Sequence, residues 1–451
     1  MIRTMTGATA VVLVGLLAGG ALADGTVYSG FPVTVKGYQD KKTTSVSYGG
    51  QIARHVLHDS LKKLATSGNG KPNPELKAKM MAYYAGKGAG RKILAPASKG
   101  KFAVKQSGID ALSKGKNLAG KTYKAAVAGM PNGMTGPELI AFWIDKASSA
   151  NMGFDAANGY DYPQLISKFV QGAVFYNRAL DRLDAGAAHA WDEAFGYFGT
   201  PAHTLKLTPK QVYDIAKQRD LAAADMNKDG KVDLKSEMTF GPAYYAAGFD
   251  ASVYDKGNRT SYLHTIAKAF LDGRKLLAAA KGEKLSDAQR AELRGHAKTI
   301  SDNWEKVLAE ATFKYAGSVY KDMVKLKTIV DAKGDPAKAF RAYAKHWGEL
   351  KGFALALQAG RNNLGETATR LNRMIGAGPL LLNASQVVDI DSKDNYVRDQ
   401  GPEWGEYMLH MAKVQKLLID KFGVKARNND VTGEMKALSD ALGGKASAEN
   451  D

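Results

Sequence analysis

Apolar residues recur every three or four positions along most of the chain after Gly49. Residues 52–64 show this spacing, and residues 165–183 show it again. Such spacing places the apolar side chains on one face of an α-helix. Glycine or proline interrupts the pattern at intervals, as in Gly199-Thr200-Pro201. The pattern therefore predicts a mainly α fold, a bundle of amphipathic helices.

An extended pattern occurs only in residues 24–48, which contain Val27, Phe31, Val33, Val35, Val46 and Tyr48. We expect this part to be an irregular or short extended N-terminal segment. The predicted organisation then has six parts: a leader (1–23), the extended segment (24–48), a first helical half (49–205), a calcium-loop connection (206–257), a second helical half (258–430) and a flexible tail (431–451).

The first 23 residues have the pattern of a secretory signal peptide. Arg3 is followed by an apolar stretch at residues 11–17 and by Ala21-Leu22-Ala23, a small-x-small cleavage signal. We expect cleavage after Ala23 and export to the periplasm. No later stretch is apolar enough to span a membrane, so the mature chain is expected to have no transmembrane segment.

The amino-acid composition excludes several kinds of catalytic and metal site and limits the possible partners. The chain has no cysteine, which excludes thiol catalysis, thiolate metal sites and disulfides. Its formal net charge is +18, which favours anionic partners. The lysines are scattered without interleaved aromatic residues, so no nucleic acid partner is expected. An anionic envelope surface and a merely solvated surface remain as the two explanations of the charge.

Two pairs of motifs suggest an internal duplication. Phe-x-x-small-x-x-x-Tyr occurs at residues 169–176 and 313–320, and Trp-x-Glu-x-x-Gly follows at residues 191–196 and 347–352. The pattern predicts two pseudo-repeated helical halves, in which the glycine of each Trp motif lets a neighbouring backbone approach. Chance similarity between amphipathic helices is the alternative.

An acidic loop at residues 225–237 has the spacing of a calcium loop. Gly230 stands at position 6, where such a loop needs a sharp turn, but position 12 is Ser236 and the closing acid follows one residue late. The alternative is an acidic turn that accepts hydrogen bonds from its own backbone. We predict calcium, with six candidate ligands: Asp225, Asn227, Asp229, Lys231 (through its carbonyl), Asp233 and Glu237.

A second metal site is predicted from histidine and carboxylate pairs at helical spacing. His189 and Glu193 stand four apart, and His346 and Glu349 stand three apart. Each pair lies on one helix face, and imidazole with carboxylate suits iron or zinc. If the pairs converge, they form a site for iron or zinc or line a pocket for a metal-bearing ligand. Helix hydrogen bonds beside a buried tryptophan are the alternative, and His55-Val56-Leu57-His58-Asp59 is a third, weaker candidate.

Four segments together resemble an exported bacterial family of unknown function that we group with the imelysin-like proteins. They are Ala-Trp-Asp-Glu-Ala-Phe-Gly-Tyr-Phe-Gly at 190–199 and residues 48–54, 225–237 and 347–355. The resemblance implies a two-part helical bundle linked to iron or another metal outside the cytoplasm. Imelysins carry Gly-x-His-x-x-Glu. Here Gly186 lies three residues before His189, and the acid three residues further on is Asp192.

The sequence favours a periplasmic metal-linked binding protein of imelysin type over an enzyme. It lacks His-Glu-x-x-His, a nucleophile elbow and a Walker loop. Two alternatives remain open. One is a metal-dependent hydrolase with Glu193 or Glu349 as general base, and the other is a structural envelope protein stapled by calcium.

Overall fold

The computed structural model describes residues 26–28, 31, 44–88, 91–98, 103–105, 111, 113–255, 257–360 and 364–443. The predicted leader, most of the extended segment and the last eight residues lie outside the described residues. Residues 44–48, which are described, run into the first helix without forming a strand.

Helices dominate the described part of the chain, as the apolar spacing predicts. We number them α1 to α15 in chain order: Gly49–Ala65, Pro74–Tyr84, Gly136–Ser149, Tyr162–Val170, Asn177–Asp184, Ala188–Phe198, Pro209–Ala216, Leu221–Ala224, Gly241–Asp250, Tyr262–Ala279, Asp287–Asp331, Ala337–Leu357, Glu366–Ile375, Trp404–Phe422 and Met435–Leu442. A π-helical segment, Gln171–Tyr176, joins α4 to α5. Short 3₁₀ turns occur at Ala119–Lys121, Pro131–Gly133, Thr204–Lys206 and Thr432–Glu434.

Short strands of the described residues form three two-stranded sheets. In chain order, β1 to β6 are Ala103–Lys105, Phe154–Asp155, Tyr160–Asp161, Lys231–Asp233, Ser385–Ile390 and Tyr396–Gln400. β1 pairs with β4 in parallel, whereas β2 with β3 and β5 with β6 are antiparallel. The β5–β6 hairpin lies inside the predicted second helical half, where no strand was expected.

The centre of the molecule is a helical hairpin made by α11 and α12. α11 runs for 45 residues and begins at a capping box, in which Ser286 and Gln289 each bond the backbone of the other. The two helices pack along each other, while α10 and α14 contact α11 and α4 contacts α12. Trp304 and Trp347 are fully buried in this core. Tertiary packing therefore stabilises a helix far longer than most in globular proteins.

Glycines in the Trp motifs lie where two elements meet closely, as the sequence predicts. A Cβ at Gly352 of α12 would lie 2.6 Å from the Cβ of Lys168 on α4. A Cβ at Gly196 of α6 would lie 2.7 Å from the Cβ of Tyr48. Real side chains do not approach so closely, so these contacts require glycine.

The two predicted halves use their shared motifs differently. Residues 169–176 end α4 and form the π-helical segment, whereas residues 313–320 lie inside the continuous α11. The indole of Trp191 donates to the carbonyl of Phe270, and that of Trp347 donates to the hydroxyl of Tyr407. The duplication therefore stays a prediction. In the predicted flexible tail, the structure has the 3₁₀ turn and α15, which packs against α14.

Candidate functional site

The acidic loop closes through its own backbone. Asp225 accepts hydrogen bonds from the amides of Asp229 and Gly230, and Glu237 accepts from those of Met226 and Asp233. Glu237 is buried, so the acid one residue late in the spacing does reach back across the loop. The remaining side chains make similar short turns: Asn227 Oδ1 accepts from Asp229, Asp229 Oδ1 from Lys231, and Asp233 Oδ1 from Lys235.

The first histidine pair lies at the surface of α6. His189 Nε2 is 3.9 Å from Glu193 Oε1, and the His189 side chain is more than half exposed. Glu193 is already occupied, because Arg182 lies 2.6 Å from one of its oxygens and Gln51 donates to the other. The pair lines a cavity with further cations, including Arg54.

The second pair lies in a different cavity. His346 Nδ1 is 2.6 Å from Asp322, and Glu349 accepts from Tyr315 and lies 3.4 Å from the ammonium of Lys168. Neither cavity is lined by a member of the other pair. The structure therefore does not bring the four predicted ligands together, because each pair lines its own cavity. In each cavity the glutamate is paired with a cation, Arg182 for Glu193 and Lys168 for Glu349.

Metal-binding groups are not found in the described part of the chain. Among those residues, no three or more His, Asp or Glu side chains are arranged to hold a metal ion. His55 and His58 bond backbone carbonyls instead, Gly196 and Tyr197 for the first and Ser167 for the second. These two histidines thus take the structural role that the sequence left open.

The cavity that contains His346 and Glu349 is rich in lysine. We call it the lysine–tyrosine cavity and define it by the twenty residues around a volume of about 440 Å³. Among these lining residues, Asp59 and Glu349 are the only acids. Five lysines and four tyrosines line it: Lys62, Lys168, Lys217, Lys314, Lys345, Tyr244, Tyr245, Tyr254 and Tyr315.

Separate elements position the five lysines. Lys62 lies in the last turn of α1, Lys168 on α4, Lys217 just after α7, Lys314 in the middle of α11 and Lys345 on α12. Lys168 is buried, Lys62 and Lys314 are partly buried, and the other two are exposed at the rim. The packing of α4 and α11 against α12 brings the inner lysines to one place.

The inner amines lose part of their charge through burial. Burial and the neighbouring Lys168 lower the pKa of Lys62 to about 7, although Glu349 and Asp59 act in the opposite direction. Burial lowers the pKa of Lys314 to about 8. For Glu349, burial alone would raise the pKa, but Lys168, Lys345 and Lys314 outweigh it and hold the pKa below its ordinary value. The two carboxylates of the cavity therefore supply less negative charge than its five lysines need for neutralisation.

Tyrosine rings support the lysines. The Lys314 ammonium lies 3.8 Å from the centre of the Tyr315 ring, and that of Lys217 lies 4.7 Å from the centre of the Tyr244 ring. Such contacts favour a cation over an aromatic face. The rings therefore pack against these two ammonium groups without neutralising their charge.

The N-terminus of α9 forms another wall. α9 begins at Gly241, and its N-cap residue Phe240 provides no side-chain cap. A helix N-terminus carries partial positive charge and unsatisfied N–H groups, which suit an anion. Phe240 and Gly241 both line the lysine–tyrosine cavity, so this wall has the same sign of charge as the lysines.

Four buried polar atoms on residues that line the cavity have no hydrogen-bond partner among the described residues. They are Oε1 of Gln164, Oε1 of Gln171, Oγ1 of Thr239 and the hydroxyl oxygen of Tyr254. Gln171 and Thr239 are each 2% exposed. Buried polar groups are nearly always paired, so four unpaired ones in one cavity point to a missing partner.

The sequence analysis named four residues of this cavity, His58, Asp59, His346 and Glu349, and missed its cationic character. The five lysines are spread from position 62 to position 345, and each alone has the pattern of a solvated residue. One feature of the sequence could have indicated buried lysines. Lys168 and Lys314 each stand next to phenylalanine inside an apolar stretch, where a fully solvated lysine is unexpected.

Comparison with models of protein families, with curated proteins and with solved structures finds no match for this chain. The imelysin resemblance therefore rests on the sequence motifs alone. In the part of the chain that the structure describes, no helix has the length and apolar character needed to cross a membrane.

Proposed function

We propose that the protein binds a small anionic ligand in the lysine–tyrosine cavity. The observation that carries this proposal is the convergence of five lysines on a cavity with two acids among its described lining residues. Cavities of roughly 300–1,000 Å³ are typical of small-molecule sites, and this one measures about 440 Å³. An anion here would relieve the repulsion among the lysines and replace the water that they lose on burial.

A bare metal cation does not fit this cavity. The ammonium groups repel it, and Glu349 is already paired with Lys168. A metal carried inside an anionic chelate does fit, because the chelate presents its negative groups to the lysines. The metal-linked role implied by the imelysin resemblance is therefore proposed in this form, outside the cytoplasm as the leader sequence suggests.

Binding explains the cavity better than hydrolysis does. A general base works best with a pKa near the operating pH. The pKa of Glu349 lies below its ordinary value, and Glu193 is paired with Arg182. Neither carboxylate of the hydrolase alternative has the free, basic oxygen that water activation needs.

The test is calorimetric titration of the purified protein with inorganic phosphate, sulfate and citrate. We expect saturable binding of at least one of these anions with one site per chain. Lys314→Gln should weaken it by roughly tenfold, since a charge-assisted contact is worth about 1.5–3 kcal/mol. Lys268→Gln, at an exposed lysine that lines no described cavity, is the matched control. If no anion binds, or if both variants behave alike, the proposal is wrong.

We also propose calcium at the acidic loop, as a structural role independent of the cavity. The specific observation is Glu237, a buried carboxylate that bonds the amides of Met226 and Asp233 and so joins the two ends of the loop. The pairing of β4 with β1 holds positions 7 to 9 of the loop extended.

A further inference from the structure

The unpartnered polar atoms of the lysine–tyrosine cavity say more about the ligand than the charge of the cavity does. Gln171 Oε1 and Gln164 Oε1 are acceptors only, so a ligand must offer them hydrogen-bond donors. A ligand ammonium would be a donor, but five lysines repel it. The donor must therefore be uncharged, as a hydroxyl group is, and the Thr239 hydroxyl can pair with a hydroxyl as well.

The acceptors lie beside the place best suited to an anion. A Cβ at Gly241, the first residue of α9, would lie only 2.2 Å from Gln171 Oε1. Thr239 is two residues before Gly241 and lines the same cavity. The positive end of α9 and two of the unpaired atoms are therefore neighbours. A ligand that reaches both must carry a hydroxyl close to its negative group.

We propose that the ligand is a hydroxylated anion, such as a sugar phosphate or a sugar acid, whose hydroxyl groups bind Gln171 and Thr239. The proposal rests on the proposed anion-binding function and adds the class of ligand. The lysines and the N-terminus of α9 hold the phosphate or carboxylate, while Gln164, Gln171 and Thr239 select molecules with adjacent hydroxyl groups.

The test compares matched ligands by calorimetric titration. Glucose 6-phosphate is compared with inorganic phosphate, and gluconate with acetate, so that the two arms separate a sugar phosphate from a sugar acid. We expect the hydroxylated member of at least one pair to bind at least tenfold more tightly than its simple anion. Thr239→Val and Gln171→Met should remove most of this preference, because they weaken binding of the hydroxylated ligand more than binding of the simple anion.

A second readout separates ligand recognition from a packing role. Thr239→Val removes a buried hydroxyl that has no partner among the described residues, so the melting temperature of the ligand-free variant should stay level or rise. The matched control is Thr122→Val. Thr122 is equally buried, but its hydroxyl donates to the carbonyl of Leu118. This control should lower the melting temperature and leave ligand preference intact.

The outcomes are distinct. If phosphate or acetate binds and its hydroxylated counterpart is no tighter in either arm, the hydroxyl inference is overturned while anion binding stands. A preference for hydroxylated ligands that survives in both Thr239→Val and Gln171→Met also overturns it, because the hydroxyls then bind elsewhere. If no anion binds at all, the proposed function and this inference fail together.

Discussion

Lys62 and Lys314 are two amines of the cavity whose charge changes near neutral pH. Burial lowers their pKa values to about 7 and about 8. Lys168, Asp59 and Glu349 face Lys62, and Glu349, Lys168, Lys345 and Lys217 are the charged groups around Lys314. Because the proposed anion binds the protonated amines, both lysines contribute almost fully at pH 6, and each loses its contribution as the pH rises through its own pKa, about 7 for Lys62 and about 8 for Lys314.

We therefore predict that sulfate affinity falls by at least tenfold between pH 6 and pH 9. Sulfate is the right probe because its own charge is constant in this range, whereas inorganic phosphate changes from monoanion to dianion within it. Calorimetric titration at pH 6, 7.5 and 9 measures the effect. Lys314→Gln should flatten the profile. An affinity that rises with pH would contradict the assignment of these amines to the site.

Lys351 is a fully buried lysine that bonds neutral groups. Its ammonium donates to the carbonyls of Gly129 and Gly376 and to the side chain of Asn372. Burial lowers its pKa to about 7. It thus joins two separate segments, the loop at Gly129 and the C-terminal end of α13, to α12 at the cost of a desolvated amine.

Replacing Lys351 should reveal both the loss of its hydrogen bonds and the effect of its lowered pKa on stability. Lys351→Met leaves three buried acceptors unpaired and should lower the free energy of unfolding at pH 8 by about 2 kcal/mol or more. In the wild type, the unfolded chain binds more protons than the folded one between pH 7 and about 10, since an unfolded lysine has a pKa near 10.4. Stability therefore rises with pH in that window.

Urea unfolding at pH 7, 8 and 9 measures the slope. The variant should lack this part of the rise, while Lys268→Met at an exposed lysine should keep it. Equal slopes in wild type and Lys351→Met would show that the amine keeps an ordinary pKa.

Among the elements, the N-terminal segment is held to the bundle by a buried ion pair. Asp192 on α6 accepts from Arg274 on α10, from the hydroxyl of Tyr28 and from the amide of Ser47. Asp192 and Arg274 are both fully buried. Within the sequence motif Trp-Asp-Glu-Ala-Phe-Gly-Tyr, the aspartate therefore has this structural role.

We predict that Asp192→Asn lowers the free energy of unfolding by about 3–5 kcal/mol, because it leaves Arg274 as a buried charge without a counter-ion. Urea denaturation followed by tryptophan fluorescence measures this change. Asp272→Asn, on the same helix as Arg274 but partly exposed and paired with Lys268, should cost less than about 1 kcal/mol. A small effect of Asp192→Asn would mean that the segment is held by its apolar contacts instead.

At the acidic loop, we predict that calcium stabilises the folded protein. Calcium at about 100 times its dissociation constant should stabilise the protein by roughly 2.7 kcal/mol, visible as a higher melting temperature than in excess chelator. Asp225→Ala and Asp229→Ala should lose this increment. Asp391→Ala is the control, because Asp391 also accepts backbone amides, in the β5–β6 turn, but lacks the calcium spacing. Identical melting curves with calcium and with chelator would leave the loop as a turn.

The sequence predicted those elements that a single local rule determines. The helical spacing predicted α1 and α4 because a buried apolar stripe fixes a helix regardless of its partners. The β5–β6 hairpin was missed because its strands do not alternate cleanly: β6 is exposed at four of five positions, and the pairing has an irregularity after Val387. The lysine–tyrosine cavity was missed because it depends on tertiary packing among distant segments, which no local pattern records.

At the scale of the whole molecule, the net charge of the chain and the charge of the lysine–tyrosine cavity are both positive. A net charge of +18 attracts anions over a distance that salt shortens. We predict that the association rate constant for a fluorescent sugar phosphate falls by at least threefold between 20 mM and 300 mM sodium chloride, measured by stopped flow. An uncharged fluorescent sugar of the same size is the control. A rate constant indifferent to salt would mean that the surface charge does not steer the ligand.

The π-helical segment Gln171–Tyr176 has a consequence for how such a cavity arises. One added residue in an α-helix rotates the turns before it by about 100° relative to the turns after it. Lys168 and Gln171 lie at this break and line the cavity, while α5 continues on the other side. Deleting one residue, such as Ala173, would restore a regular helix and rotate Lys168 away from Glu349. The π-helical segment thus sets which side of the continuous α4–α5 helix faces the lysine–tyrosine cavity.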